Sequence, residues 1–177
     1  SAKLGFRVTI HMSNDAKEWK KNKLRNLGVN VVEHKGSYAE AVEKGRASSA
    51  NDPYSYFVDD ENSMQLFLGY STAALRLEKQ LAEADIKVDR ENPLYVYLPC
   101  GVGGAPGGIC FGLKHVFGEN VKCYFAEPVN APSVMLGFLE GKKINFKDYG
   151  FNMKTDADGL AVDSPSELVL EICRDLT

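Results

Sequence analysis

The chain has 177 residues, 44% of them hydrophobic and 25% charged, with a net charge of −3 and a pI near 5.7. That balance supports a buried core and argues against nucleic acid or an anionic membrane as the main partner, since both select a basic face. No apolar run approaches the roughly 20 residues of a bilayer-spanning helix and no signal peptide opens the chain, so the expected setting is the cytoplasm.

Residues 1–6, SAKLGF, read as the last turn of a helix closed by Gly5. RVTIHM (7–12) is the first expected strand. A helix over 14–27 follows, with Ala16, Trp19, Leu24 and Leu27 on its apolar stripe and Gly28 closing it. VNVVEH (29–34) is the second strand, and Ser37 with Glu40 caps the next helix. SYFVDD (55–60) is the third strand, leading to a helix over about 70–84 and a polar connector at 83–93. LYVYLP (94–99) is the fourth strand and runs into glycines and a helix over 106–117. VKCYFAEP (121–128) is the fifth, followed by a helix near 132–140. Residues 141–163 are loop-rich. SPSELVLEICRDLT opens a last helix with Ser164 as N-cap, Pro165 at the first helical position and Glu167 completing a capping box. With a helix tail at one end and an uncapped helix at the other, the chain reads as a piece cut from a longer protein.

Repeated strand–helix units with short loops, and strands apolar on both faces, predict an α/β fold. The expected form is an open, mostly parallel, doubly wound sheet with helices on both faces. Cys110, Cys123 and Cys173 lie in apolar runs and read as reduced core residues; Cys100 alone adjoins the glycines. His11, His34 and His115 are scattered without a zinc-ligand spacing and read as polar residues at element ends.

The junction CGVGGAPGG carries Gly101, Gly103, Gly104, Gly107 and Gly108 at the carboxyl end of the fourth strand, where open parallel sheets bind ligands. A turn needs one or two glycines, so five point to close backbone approach. The dinucleotide pattern GxGxxG fails at Pro106, although Glu127 stands about where a ribose-binding acid would. The P-loop pattern fails because Gly108 is followed by Ile109 and Cys110. What remains is a nest of backbone amides at a helix N-terminus, suited to one compact phosphate. The rival reading is a nucleotide- or anion-binding regulatory module without covalent chemistry.

LPCGVGGAPGG, FAEPVNAPS and TDADGLAV, in that order, resemble the pyridoxal-phosphate enzymes of the tryptophan-synthase β-subunit fold (fold type II). SAKLGFRVTIHMS, DDENS and LFLGYS extend the likeness over the whole chain, toward the D-serine dehydratase (D-serine ammonia-lyase) family. The resemblance implies pyridoxal 5′-phosphate as cofactor, its phosphate held by Gly101, Val102, Gly103 and Gly104 with Cys100 at the loop's edge. Gly159, in the Ala157–Asp158–Gly159 stretch, would lie against the cofactor ring; without the resemblance that stretch is only a turn. It implies a monovalent cation, K+ or Na+, at Glu127, Ala131 and Ser133, whereas Glu127 read alone serves equally as a solvent-facing acid at a strand end. Asp59 is the candidate substrate contact, since Asp59 and Asp60 point to opposite faces of a strand and one at most can serve.

The family's Schiff-base lysine and its Ser-Gly-Asn loop match nothing in this chain, and Lys114 and the run near Lys20 read as solvated helix positions. No catalytic residue is therefore assigned, and the chain alone is expected to be inactive. The parent is expected to be a monomer acting on D-serine, with D-threonine as a second substrate. Residues 1–55 or so are expected in a smaller lobe, and 56–177 in a larger, cofactor-binding one.

Overall fold

A computed structural model describes residues 1–36 and 38–176. It divides into two compact units, Ser1–Asp59 and Asp60–Thr177. Both are α/β, with parallel strands flanked by helices, the class that the alternating pattern predicts.

In the first unit β1 (Thr9–Ser13), α1 (Glu18–Asn26), β2 (Asn30–His34) and α2 (Tyr38–Ala50) follow in order. β1 and β2 pair in parallel, Thr9 opposite Asn30 and Ser13 opposite His34. The expected N-cap at Ser37 lies outside the described residues. α1 starts four residues later than its pattern predicts, because residues 14–17 are taken up by a turn. In that turn the Ser13 hydroxyl accepts the Asp15 amide and the Ser13 carbonyl accepts the Ala16 amide. The expected apolar stripe is corrected as well: Ala16 precedes the helix, and Trp19 is 60% exposed.

The side of α1 that is buried carries Lys21, only 4% exposed, which the sequence placed among solvated positions. Its ammonium reaches Glu33 at 2.6 Å and the Asn14 carbonyl at 2.8 Å. These charge-assisted bonds offset its burial, while the aliphatic stem packs as a hydrophobe does. Residues 55–60, the expected third strand, form no ladder among the described residues. A strand exists only through pairing, and Tyr56 and Val58 are left exposed.

The second unit holds α3 (Met64–Ser71), α4 (Ala73–Glu83), β3 (Leu94–Pro99), α5 (Gly104–Phe117), β4 (Val121–Ala126), α6 (Ser133–Glu140) and α7 (Glu167–Cys173). The helix expected over about 70–84 is α4, starting at Ala73; α3, which precedes it, was not expected, and the two are broken at Thr72. The Ser71 hydroxyl donates back to Leu68 O and the Thr72 hydroxyl to Gly69 O, both at 2.7 Å, a bonding pattern that bends helices. β3 and β4 pair in parallel from Leu94–Val121 to Pro99–Ala126. One face of this pair buries Leu98, Val121 and Cys123 with Cys110 and Leu113 of α5 and Ala74 of α4. The other carries Tyr95, Tyr97 and Tyr124, stacked and exposed.

α7 is capped by Ser166 rather than Ser164, the Ser166 hydroxyl accepting the Val169 amide at 3.2 Å. The cap moves two residues on because Ser166 is fully buried and its own hydroxyl proton goes to the Glu61 carbonyl.

Candidate functional site

The glycines separate into two groups with different work. Gly108 and Gly112 lie inside α5, where an added Cβ would stand 2.3 Å from the Phe67 and Ser71 carbonyl oxygens of α3. A Cβ on Gly107 would meet Phe67, Val169 and Cys173 side chains at 3.1–3.2 Å. Their missing side chains let α5 lie against α3 and α7, so Gly107 and Gly108, counted in the glycine run but expected within the helix, serve helix packing. The expected start of this helix at 106 moves to Gly104.

Gly101, Val102 and Gly103 form the turn between β3 and α5. Gly103 is the N-cap with φ +108°, a left-handed conformation that glycine adopts at little cost. Each carbonyl of the turn is held by the protein. Gly101 O accepts the Ser133 hydroxyl at 3.2 Å. Val102 O accepts the Ser166 amide at 2.9 Å and Gly103 O the Gly107 amide at 2.8 Å. In a trans peptide the N–H points opposite to the preceding C=O. The amides of Val102, Gly103 and Gly104 therefore point away from these three partners, and none meets a protein acceptor among the described residues. Together with the α5 N-terminus, where orphan amides and the helix dipole favour negative charge, they form a cradle for one anion.

The other predicted residues fall as follows. Cys100 completes the β3–β4 ladder through its amide to Ala126 O at 2.9 Å. Its thiol is packed with Val134 and Leu170, and burial pushes its pKa far above the usual thiol range, so it offers no thiolate. Gly159 comes to the loop: its carbonyl lies 3.5 Å from where a Gly101 Cβ would stand, and Leu160 Cα 3.3 Å. Asp59, in the first unit, is ion-paired to Arg46 of α2 at 2.7 Å.

Glu127 follows β4 directly. Its two carboxylate oxygens accept the Val134 and Met135 amides, each at 2.8 Å, so it caps α6, whose preceding residue is Pro132 with no side chain to do so. Burial raises its pKa above the ordinary carboxylate value, partly offset by the two amides and the Ser133 hydroxyl. Ala131 and Ser133 are fully buried beside it. Among the described residues no three His, Cys, Asp or Glu side chains converge as metal ligands; a cation here would rest mostly on carbonyl oxygens.

Capping of α6 by an acid six residues upstream has no adjacent-residue signature, and sequence reasoning missed it. It missed two further features. Ser166 closes the loop from behind. His11 and His34 meet across the β1–β2 register, Nδ1 to Nε2 at 2.8 Å with rings stacked, and each was read as a separate strand-end residue.

The pyridoxal-phosphate-dependent enzyme family model matches residues 1–177. The chain belongs to that family. Among curated members it is 58% identical over 170 residues to the probable D-serine dehydratase of Geobacillus stearothermophilus, covering 95% of this chain and 37% of that one. It is 59% identical over 174 residues to that of Carboxydothermus hydrogenoformans, covering 97% and 41%. The chain thus spans about two-fifths of the length of these relatives.

Pyridoxal-phosphate-dependent enzymes also share its fold. The threonine deaminase of T.th. superposes with a TM-score of 0.81 at 23% identity, over 99% of this chain and 53% of that one. A diaminopropionate ammonia lyase from Escherichia coli in complex with D-serine gives 0.80 at 23%, over 99% and 43%. Fold type II and pyridoxal phosphate, both expected from the glycine loop and its companion motifs, therefore stand. The donor set fits a phosphate monoester: the Val102, Gly103 and Gly104 amides meet no protein acceptor among the described residues, while the protein itself (Leu160, Val169 and the Asp60 carbonyl) fills the space where side chains at Gly101, Gly103 and Gly104 would stand.

Proposed function

We propose that this chain carries the cofactor-phosphate loop of a D-serine dehydratase, which converts D-serine to pyruvate and ammonia, with D-threonine as a second substrate. The observation that carries the reading is the outward set of Val102, Gly103 and Gly104 amides at the head of α5. The substrate rests on relatives at 57–59% identity named probable D-serine dehydratases.

The bound cofactor would supply an electron sink at the substrate α-carbon. This chain's residues bind and orient. Gly101–Gly104 hold the phosphate, Cys100 anchors the loop to the sheet, and Gly159 borders it. Asp59, its carboxylate fixed by Arg46, contacts the substrate. Glu127 with the Ala131 and Ser133 carbonyls takes K+ or Na+. Residues 1–55 or so belong to the smaller lobe and the remainder to the cofactor-binding lobe of a cytoplasmic, monomeric enzyme.

The 177-residue chain alone is inactive in this reading, because the family's Schiff-base lysine matches nothing in it. Lys21 is locked to Glu33, and Lys143 is paired to Glu61 at 2.9 Å. The test is pyruvate release by the full-length protein carrying this chain, from D-serine and from L-serine. Turnover of D-serine at least about 100-fold faster supports the proposal; faster turnover of L-serine, or of neither, overturns it. The isolated chain with pyridoxal phosphate should match a cofactor-only control.

A further inference from the structure

We propose that Ser133 is a positioning residue for the anion cradle: its hydroxyl fixes the 101–102 peptide and so aims the Val102 amide at the ligand. This deepens the reading of the loop as a phosphate site and rests on it.

Ser133 is fully buried as the first residue of α6. A buried hydroxyl needs an acceptor; this one reaches Gly101 O at 3.2 Å, a carbonyl the Cys100 thiol also approaches at 3.8 Å, and its single proton is shared between that carbonyl and the Glu127 carboxylate. The three peptides of the turn are not held alike. Val102 O and Gly103 O are fixed by backbone amides, of Ser166 and Gly107, which no side-chain change removes. Only the 101–102 peptide depends on a side chain for its orientation. Its first residue is glycine, whose open φ/ψ map makes rotation of that peptide inexpensive. Rotated, it would turn the Gly101 carbonyl toward the anion and the Val102 amide away, exchanging an attraction for a repulsion.

Ser133 is itself placed by Glu127, which binds the next two amides, Val134 and Met135. The cradle is thus braced from behind through α6, by residues that never touch the ligand. Its preference is for a phosphate monoester, the compact dianion three convergent amides suit best.

The experiment measures calorimetric binding of pyridoxine 5′-phosphate to the 177-residue chain. This ester has no aldehyde and cannot label lysines; pyridoxine without phosphate is the control. Ser133→Ala should weaken ester binding about five- to tenfold, the order expected for one lost hydrogen bond, with no effect on the control. Ser133→Cys, of similar size but a weaker donor, should fall between and covers the case in which the alanine variant does not fold. In carbonyl-labelled protein the Gly101 13C′ and Val102 15N resonances should move while those of the α5 interior hold still, which a general loss of stability would not produce. If wild type binds the ester and the variants bind it equally, with those resonances unmoved, the role of Ser133 is refuted and the loop reading survives. If wild type does not bind the ester, the loop reading itself fails and this inference falls with it.

Discussion

Glu127 shows how one side chain joins sheet, helix and loop. Replacing it by alanine leaves the Val134 and Met135 amides without their acceptors and should cost about 1–2 kcal/mol, as lost helix caps do, visible as a lowered Tm. The pH dependence has a definite sign. Burial raises the folded-state pKa, so the folded chain binds the proton more tightly than the unfolded one. Stability from this group is fully present below the ordinary glutamate value of about 4.3 and declines as pH rises through the raised value. Glu127→Ala should flatten that part of the stability curve; an unchanged slope would mean that the carboxyl is not buried as described. None of this was legible at residue level. The sequence shows an acid at a strand end and a proline before a helix, but not that the acid turns back to serve the helix that the proline cannot cap.

At the scale of elements, the α3–α5 contact makes the sharpest contrast. Gly108→Ala or Gly112→Ala places a methyl group 2.3 Å from an α3 carbonyl oxygen, forcing the helices apart at about 1–3 kcal/mol. Gly69, within α3, has nothing within 4 Å of an added Cβ, so Gly69→Ala should instead stabilise by about 0.5–1 kcal/mol through helix propensity. Denaturant melts of the three variants check both signs. The alternation of strands and helices was legible because β3, β4 and α5 carry strong periodicity. What failed did so for local reasons. Residues 55–60 look like a strand yet find no ladder among the described residues, the Ser71 and Thr72 hydroxyls break a helix whose apolar pattern runs on, and Ser166 outcompetes Ser164 because burial adds a second bond. The glycine run was read as close backbone approach; at Gly108, and at Gly112 beyond the run, what approaches is the α3 backbone.

Across the whole molecule the two units differ in how much apolar side chain they bury. Among the described residues the first unit buries Val29 and Ala41, whereas the second buries fifteen hydrophobic residues, including Phe67, Leu113, Val121 and Val169. Local stability follows buried contacts, so native-state hydrogen exchange should find the β1–β2 amides exchanging at least about tenfold faster than those of β3–β4; equal protection would contradict this picture. The most direct test of the loop as an anion cradle is a titration of the 15N-labelled chain with pyridoxine 5′-phosphate, followed by amide resonances. The largest shifts should fall on Val102, Gly103 and Gly104, and Gly103→Val, which fills the left-handed position and crowds Val169, should abolish them. Shifts centred elsewhere, or undiminished in Gly103→Val, would contradict the cradle.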